Sequence, residues 1–301
     1  MSMFKRFFFF ALVNIAMIVM IQVVMRVLGV EPYLQANGLN YQALAIFCLL
    51  WGSVASFISL QMSKWMAKRA MGVQIVEQNG QYSDLVNLVH RLAKAANLPK
   101  MPEVGIYQSP EVNAFATGPS KSNSLVAVST GLLQRMNSEE VEGVLAHEVS
   151  HIANGDMVTM ALVQGVVNAF TMFLARVAAF AIQNAMRSDD DRGGVGGLSY
   201  FFTVIVFDIL FGILGSIVVA WFSRIREYRA DAGAAKLAGR GPMIAALQRL
   251  QNEYSANRFE KESNDSIAAL KISSKPVGLR ALFSTHPSLE NRIARLQTYA
   301  S

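Results

Sequence analysis

The stretch Ser138–Asp156, SEEVEGVLAHEVSHIANGD, decides how the rest of the chain is read. Its apolar positions Val141, Val144, Leu145 and Val149 recur at helical spacing. Asn137 or Ser138 is suited to cap the start, and Gly155 to close the end. Residues four apart share one face of a helix, so His147 and His151 point the same way and can hold one metal ion between them. Glu148 lies one step around, close enough to reach a water on that ion but not placed to be a third ligand. This is the HExxH arrangement, in which two His bind zinc and Glu is the general base of a metallopeptidase. The competing reading is a solvated helix with two ordinary histidines. Against it, the chain has only 4 His and two are here. A charged Glu between two His in a mostly apolar helix also needs a partner such as a metal.

The 301 residues could form one or two domains. Hydrophobic residues make up 52% and charged residues 16%, which is too apolar for an ordinary soluble domain and points to a membrane protein. The single cysteine, Cys48, excludes an internal disulfide and fits a reducing, cytoplasmic side. The net charge of +6 admits nucleic acid or membrane as a partner. The basic residues cluster beside apolar segments, with no aromatic-rich patch, so anionic lipid headgroups are favoured and nucleic acid is not.

Residues 7–28 are long enough to span a bilayer, and with no small-residue cleavage site after them they read as a retained anchor. Residues 41–60 make a second span, followed by Lys64, Lys68 and Arg69. Basic residues before the first span and after the second put both ends of this 1–69 anchor in the cytoplasm. Residues 70–156 form a first soluble block. It holds an amphipathic helix near 81–98, where His90 reads as a surface or packing residue. Three β-like runs follow at 103–107, 113–118 and 124–129, read as a small antiparallel sheet. Residues 157–182 and 198–222 are a third and a fourth span within 157–222, joined by a loop read as flexible. Arg176 and Asp208 are the two charges inside them and are expected to pair. The last block, 223–301, reads as helical, with a mobile loop at 255–278 that is a candidate lid.

A catalytic zinc usually has three protein ligands and a water. A metzincin would continue the motif with Gly and a third His, but Asn154 and Met157 occupy those places. A downstream Glu on a second helix is the other common solution. EYRAD offers Glu227, with Asp231 four residues on and on the same face. Glu227 would then be a ligand, and Asp231 would accept a hydrogen bond from a ligating His. A solvated acidic pair balancing Arg226 and Arg229 is the alternative, and spacing alone leaves the two open.

HEVSHIANGD, EYRAD, NAFATG and STHPSLENRI, taken together and in this order, resemble the HtpX family of heat-shock membrane metalloproteases, which is related to the CAAX prenyl endopeptidases. The resemblance covers essentially the whole chain. It implies a mainly α membrane protein: four transmembrane helices with a cytoplasmic, zincin-like α+β metallopeptidase domain. It implies Zn2+ held by His147, His151 and Glu227, with Glu148 as base. His286 matches a family histidine thought to face the substrate, with Arg292 beside it. Asn113 opens the strand that in related enzymes pairs with extended substrate, and His286 with Asn113 would stabilise the developing negative charge. The implied activity is cleavage of misfolded or damaged membrane proteins, or unfolded polypeptides, at a bacterial inner membrane, and the short tethers from His151 to the third span and from the fourth span to Glu227 place the cleavage at cytoplasmic segments near the bilayer. A CAAX-type prenyl-protein peptidase, an inactive zinc-binding scaffold and a transporter using Asp208 and Arg176 are the competing readings. An intact Glu148 argues against the scaffold, and the lack of a broken-helix pair or inverted repeat argues against the transporter.

Overall fold

The computed structural model describes residues 38–186, 196–256 and 284–298, together with Ile15, Val19, Gln22, Val23 and Arg26. Most of the apolar run 7–28, the centre of the loop before 196, and residues 257–278 of the expected lid lie outside the described residues. In chain order the elements are α1 (Tyr41–Met71), β1 (Gln74–Ile75), α2 (Ser83–Ala95), β2 (Glu103–Tyr107), β3 (Ala114–Ser120), β4 (Asn123–Ser129), α3 (Thr130–Arg135), α4 (Ser138–Asn154), α5 (Asp156–Ala185), α6 (Gly196–Ala238), α7 (Arg240–Ala256) and α8 (Leu289–Thr298). The chain divides into two compact units, Met1–Ile58 with Ala161–Val219, and Ser59–Met160 with Ala220–Ser301.

The first unit is built from apolar helix. Among the described residues 3 helices, α1, α5 and α6, are long and apolar enough to cross a membrane, against the four spans read from the sequence. The remaining one is the run 7–28. Tyr41, Ala45, Cys48 and Leu49 of α1 pack on Ala169 and Phe173 of α5. A Cβ on Gly52 would lie 2.8 Å from the Gly165 carbonyl oxygen and 2.9 Å from the Ala169 Cβ, so the two backbones approach through small residues. Arg176 Nη1 donates to the Met172 carbonyl at 2.9 Å and stands 3.8 Å from Asp208 Oδ1. The two charges in the apolar spans are therefore paired, as expected.

The second unit holds a four-stranded sheet and the helices packed on it. The strand order is β1-β2-β4-β3. β1 pairs antiparallel with β2 and β3 antiparallel with β4, but β2 and β4 are parallel, with Glu103 opposite Leu125 and Tyr107 opposite Ser129. This corrects the expectation of an antiparallel sheet. Six of the 7 residues of β4 are buried. A strand covered on both faces belongs in the interior, so β4 hairpins back from β3 and inserts beside β2. β3 is left at the edge.

One core joins the sheet to the helices. Leu85, Val89 and Leu92 of α2, Val104 and Val126 of the sheet, Val144, Leu145 and Val149 of α4, and Leu247 and Leu250 of α7 are all buried in it. His90 turns its Nε2 to the Pro102 carbonyl at 3.2 Å, a packing role. Lys64 and Lys68, read from the sequence as the basic residues that follow the second span, reach Glu103 at 2.8 and 2.5 Å, and Lys64 also donates to Asn123 Oδ1 at 2.9 Å. Burial alone would raise the Glu103 pKa, but the two ammonium groups hold it below the usual carboxylate range. Their stems place them over the start of β2, where that carboxylate is the nearest counter-charge.

Candidate active site

The helix carrying the HEVSH motif is fixed at both ends by local chemistry. The Asn137 side chain accepts from the Glu140 backbone N–H at 2.9 Å, and the Glu140 carboxylate accepts from the Asn137 N–H at 2.9 Å, which closes a capping box. At the other end Gly155 takes φ 75°, a left-handed conformation that favours glycine, and its N–H donates to the His151 and Ile152 carbonyls. Lys121, in the β3–β4 turn, donates to the Ala153 carbonyl and so ties the edge hairpin to the last turn of α4.

α6 brings the second set of groups. Glu227 and Asp231 lie one turn apart on it and are 0% and 2% exposed. The helix can approach α4 closely because Gly233 has no side chain: a Cβ there would lie 2.7 Å from Ser150 Oγ. His147 Nε2 and His151 Nε2 are 3.1 Å apart, and Glu227 reaches them at 3.4 Å and 3.3 Å. These three residues form a buried group able to hold a metal ion. A tetrahedral ion with bonds of about 2.0–2.1 Å spaces its ligands roughly 3.3–3.4 Å apart, so the donor set fits a metal.

Each member of this set has a polar partner behind it. His147 Nδ1 is 3.0 Å from Asp231 Oδ1, the contact expected from the sequence. His151 Nδ1 is 2.7 Å from Asp156 Oδ2. His286 Nδ1 is 2.8 Å from Glu227 Oε2, the carboxylate accepting. Arg292 is fully buried and grips Asp231 with two bonds, Nε to Oδ2 at 2.9 Å and Nη2 to Oδ1 at 2.6 Å. Charges follow from these contacts. Burial would raise the Asp231 pKa, but the Arg292 guanidinium lowers it to about 2. Burial likewise opposes the Glu227 charge, yet His286 and His151 hold that carboxyl well below the usual range. Burial disfavours an imidazolium at His151, but Glu227 and Asp156 outweigh it and raise its pKa to about 9, and Asp231 and Glu227 raise that of His147.

The cleft beside the cluster is lined by Ala114, Phe115 and Ala116 of β3, by Glu148, Asp156 and Met157, and by Arg226 and His286 alongside the three candidate ligands. Glu148 is 4% exposed. Two residues expected at the site from the sequence stand outside the cleft lining. Arg292, expected beside His286, is not among the residues lining this cleft but touches the cluster: besides gripping Asp231, its Nη2 is 3.4 Å from His147 Nδ1 and its Nη1 3.8 Å from Glu227 Oε2. Asn113, read as a charge-stabilising group, is 3% exposed and is also absent from the lining. Its N–H donates to Ser129 Oγ at 3.1 Å and its carbonyl accepts from the Ser129 N–H at 2.9 Å, so its backbone fixes the start of β3. Asp156 was not singled out from the sequence. Its signal was Gly155: a left-handed residue at a helix end folds the next side chain back on the last turn, where His151 sits.

Residues 79–300 match Peptidase family M48, and the chain belongs to that family. With three apolar helices able to span a membrane, it is an integral-membrane metallopeptidase. Its relatives narrow the likeness. It is 52% identical over 303 residues to the "Protease HtpX homolog" of Bacillus licheniformis, covering 97% of this chain and 99% of that one. It is 51% identical over 297 residues to the "Protease HtpX" of Shewanella sp. (strain ANA-3), covering 98% and 99%. Among solved structures, the crystal structure of S. mikatae Ste24p shares the fold, with a TM-score of 0.60 at 17% identity, over 98% of this chain and 67% of that one.

Proposed function

We propose that the chain is a zinc endopeptidase that cleaves membrane proteins and unfolded polypeptides at segments close to the bilayer, as a quality-control activity of a bacterial inner membrane with the cleft on the cytoplasmic side. The observation that carries the reading is the convergence of His147, His151 and Glu227 within 3.1–3.4 Å, in a cleft that also holds the Glu148 carboxylate. His147, His151 and Glu227 would hold the ion. When bound, zinc supplies Lewis acidity toward the scissile carbonyl and the attacking water. Glu148 takes the proton of that water and returns it to the leaving amine. Asp231 and Asp156 fix the tautomer and direction of the two imidazoles, and His286 Nδ1 orients the Glu227 carboxylate while its Nε2, without a hydrogen-bond partner among the described residues, is the donor for the developing negative charge. Arg292 positions the ligands, through Asp231 and through its own approach to His147 and Glu227.

The edge position of β3 suits it to hold substrate by main-chain hydrogen bonds, which tolerates many sequences and fits quality control. Proximity to the bilayer rests on α6. Glu227 follows Phe222, the end of the apolar run, by five residues on one unbroken helix, a rise of about 7–8 Å. Metal analysis of the purified chain, paired with casein hydrolysis, tests the proposal. Glu148→Ala should keep about one zinc and lose turnover by at least ~100-fold, the scale of general-base catalysis. Full turnover in that variant would reject the mechanism.

A further inference from the structure

One charged group in the cleft has no task in the mechanism above. Arg226 immediately precedes Glu227 on α6 and lines the cleft with its side chain 24% exposed. Its nearest carboxylate among the described residues is Glu227, with Nε 3.6 Å from Oε1, and that contact is not a hydrogen bond. Glu227 is already engaged more closely by three imidazoles, at 2.8, 3.3 and 3.4 Å. Arg226 Nε is buried and has no hydrogen-bond partner among the described residues. A buried guanidinium N–H without an acceptor is rare in folded proteins and calls for an explanation, a role toward substrate among them. Arg226 shares Glu227 as its counter-charge with those three imidazoles, so a peptide carbonyl would satisfy one N–H but bring no anion of its own. A carboxylate satisfies both, and the planar fork of Arg matches its two oxygens.

We propose that Arg226 is a specificity-determining residue that binds a carboxylate of the substrate peptide, from an acidic side chain or from a free C-terminus. The inference rests on the peptidase reading. It adds a preference that the edge strand, which reads only main chain, does not provide.

The test measures binding, so that it stands apart from turnover. The full chain carrying Glu148→Gln, zinc-loaded in detergent, is titrated with fluorescent peptides. One set scans Asp against Asn along a C-terminally amidated peptide. A second compares the free acid and the amide of a neutral peptide. Tighter binding of the acid by about 10- to 100-fold at one position, or at the free C-terminus, is expected, as for a charge-assisted hydrogen bond. The responding set tells the two carboxylate sources apart. Arg226→Gln should bring that ratio to near one, and Arg226→Lys should keep part of it. Equal affinity for acid and amide throughout the natural-Arg226 series overturns the assignment whatever the variants do, as does an undiminished ratio in Arg226→Gln. Failure of the peptidase reading would look different: zinc-loaded protein with Glu148 intact would hydrolyse none of these peptides.

Discussion

Gly233→Ala should cost this protein its metal before it costs its fold. Gly233 sits on α6 two residues beyond Asp231, against Ser150, the neighbour of His151 on α4. The added Cβ would lie 2.7 Å from Ser150 Oγ and 2.8 Å from Ser150 Cβ. The hydroxyl can rotate away, but the Cβ cannot. Ordinary contact begins at 3.4 Å, so the helices must part by at least about 0.6 Å at that point. A metal site tolerates only about ±0.2 Å in its bond lengths. Glu227 and Asp231 ride on the displaced helix, so zinc affinity should fall by about 10–100-fold, the range seen when the groups supporting a ligand are lost. The fold should suffer less. Overpacking costs about 1–3 kcal/mol, and the gain of Ala over Gly in a helix returns up to about 1 kcal/mol. Competition with a chelator of known affinity reads the first quantity, and thermal unfolding of the metal-free protein reads the second. Ser150→Gly in the same chain removes both clashing atoms and leaves only Ser150 Cα at 3.9 Å, so the double variant should regain the metal. Native affinity in Gly233→Ala, or no recovery in the double variant, would refute the reasoning.

Two further outcomes follow from the charges around the cluster. Arg292→Leu strands a buried Asp231 and should destabilise the protein by about 3–5 kcal/mol. It should also weaken zinc binding through His147, whereas Arg292→Leu with Asp231→Asn should recover most of the stability, and chemical denaturation with metal titration measures both. In the metal-free protein the His151 pKa is raised, from 6.5 to about 9, so at pH 7 the imidazole carries a proton that zinc must displace. The sign is therefore that zinc affinity rises with pH up to about 9, by at most tenfold per unit for that proton, and that binding below pH 9 releases protons. Calorimetry in buffers of different ionisation enthalpy detects the release, and a pH-independent affinity between 7 and 9 would contradict the assignment.

What the sequence determined by itself is what neighbours along the chain decide. The close at Gly155 and the i, i+4 pair His147–His151 are settled within one or two helical turns and stand as read, and of the two caps the sequence offered, Asn137 is the one used. The apolar spans 41–60, 157–182 and 198–222 likewise fall inside α1, α5 and α6, because length and apolarity are local properties. Helical period also placed Glu227 and Asp231 on one face, although spacing alone left open whether they bind a metal or water. The HtpX resemblance favoured the metal, and the packing of α6 on α4 then brought the groups together. Tertiary structure alone decided the rest. The parallel pairing of β2 with β4 depends on which strand is covered on both faces, and no single strand reveals that. Lys64 and Lys68 lie in the last turns of a membrane-length helix but meet Glu103 of β2, beyond α2 in sequence. Arg292 and Asp231 are 61 residues apart, and His286 and Glu227 are 59 apart. Contacts at such separations carry no periodicity to read. A buried charge is stabilised by whichever opposite charge the packing brings within reach, and only the folded chain settles which one that is.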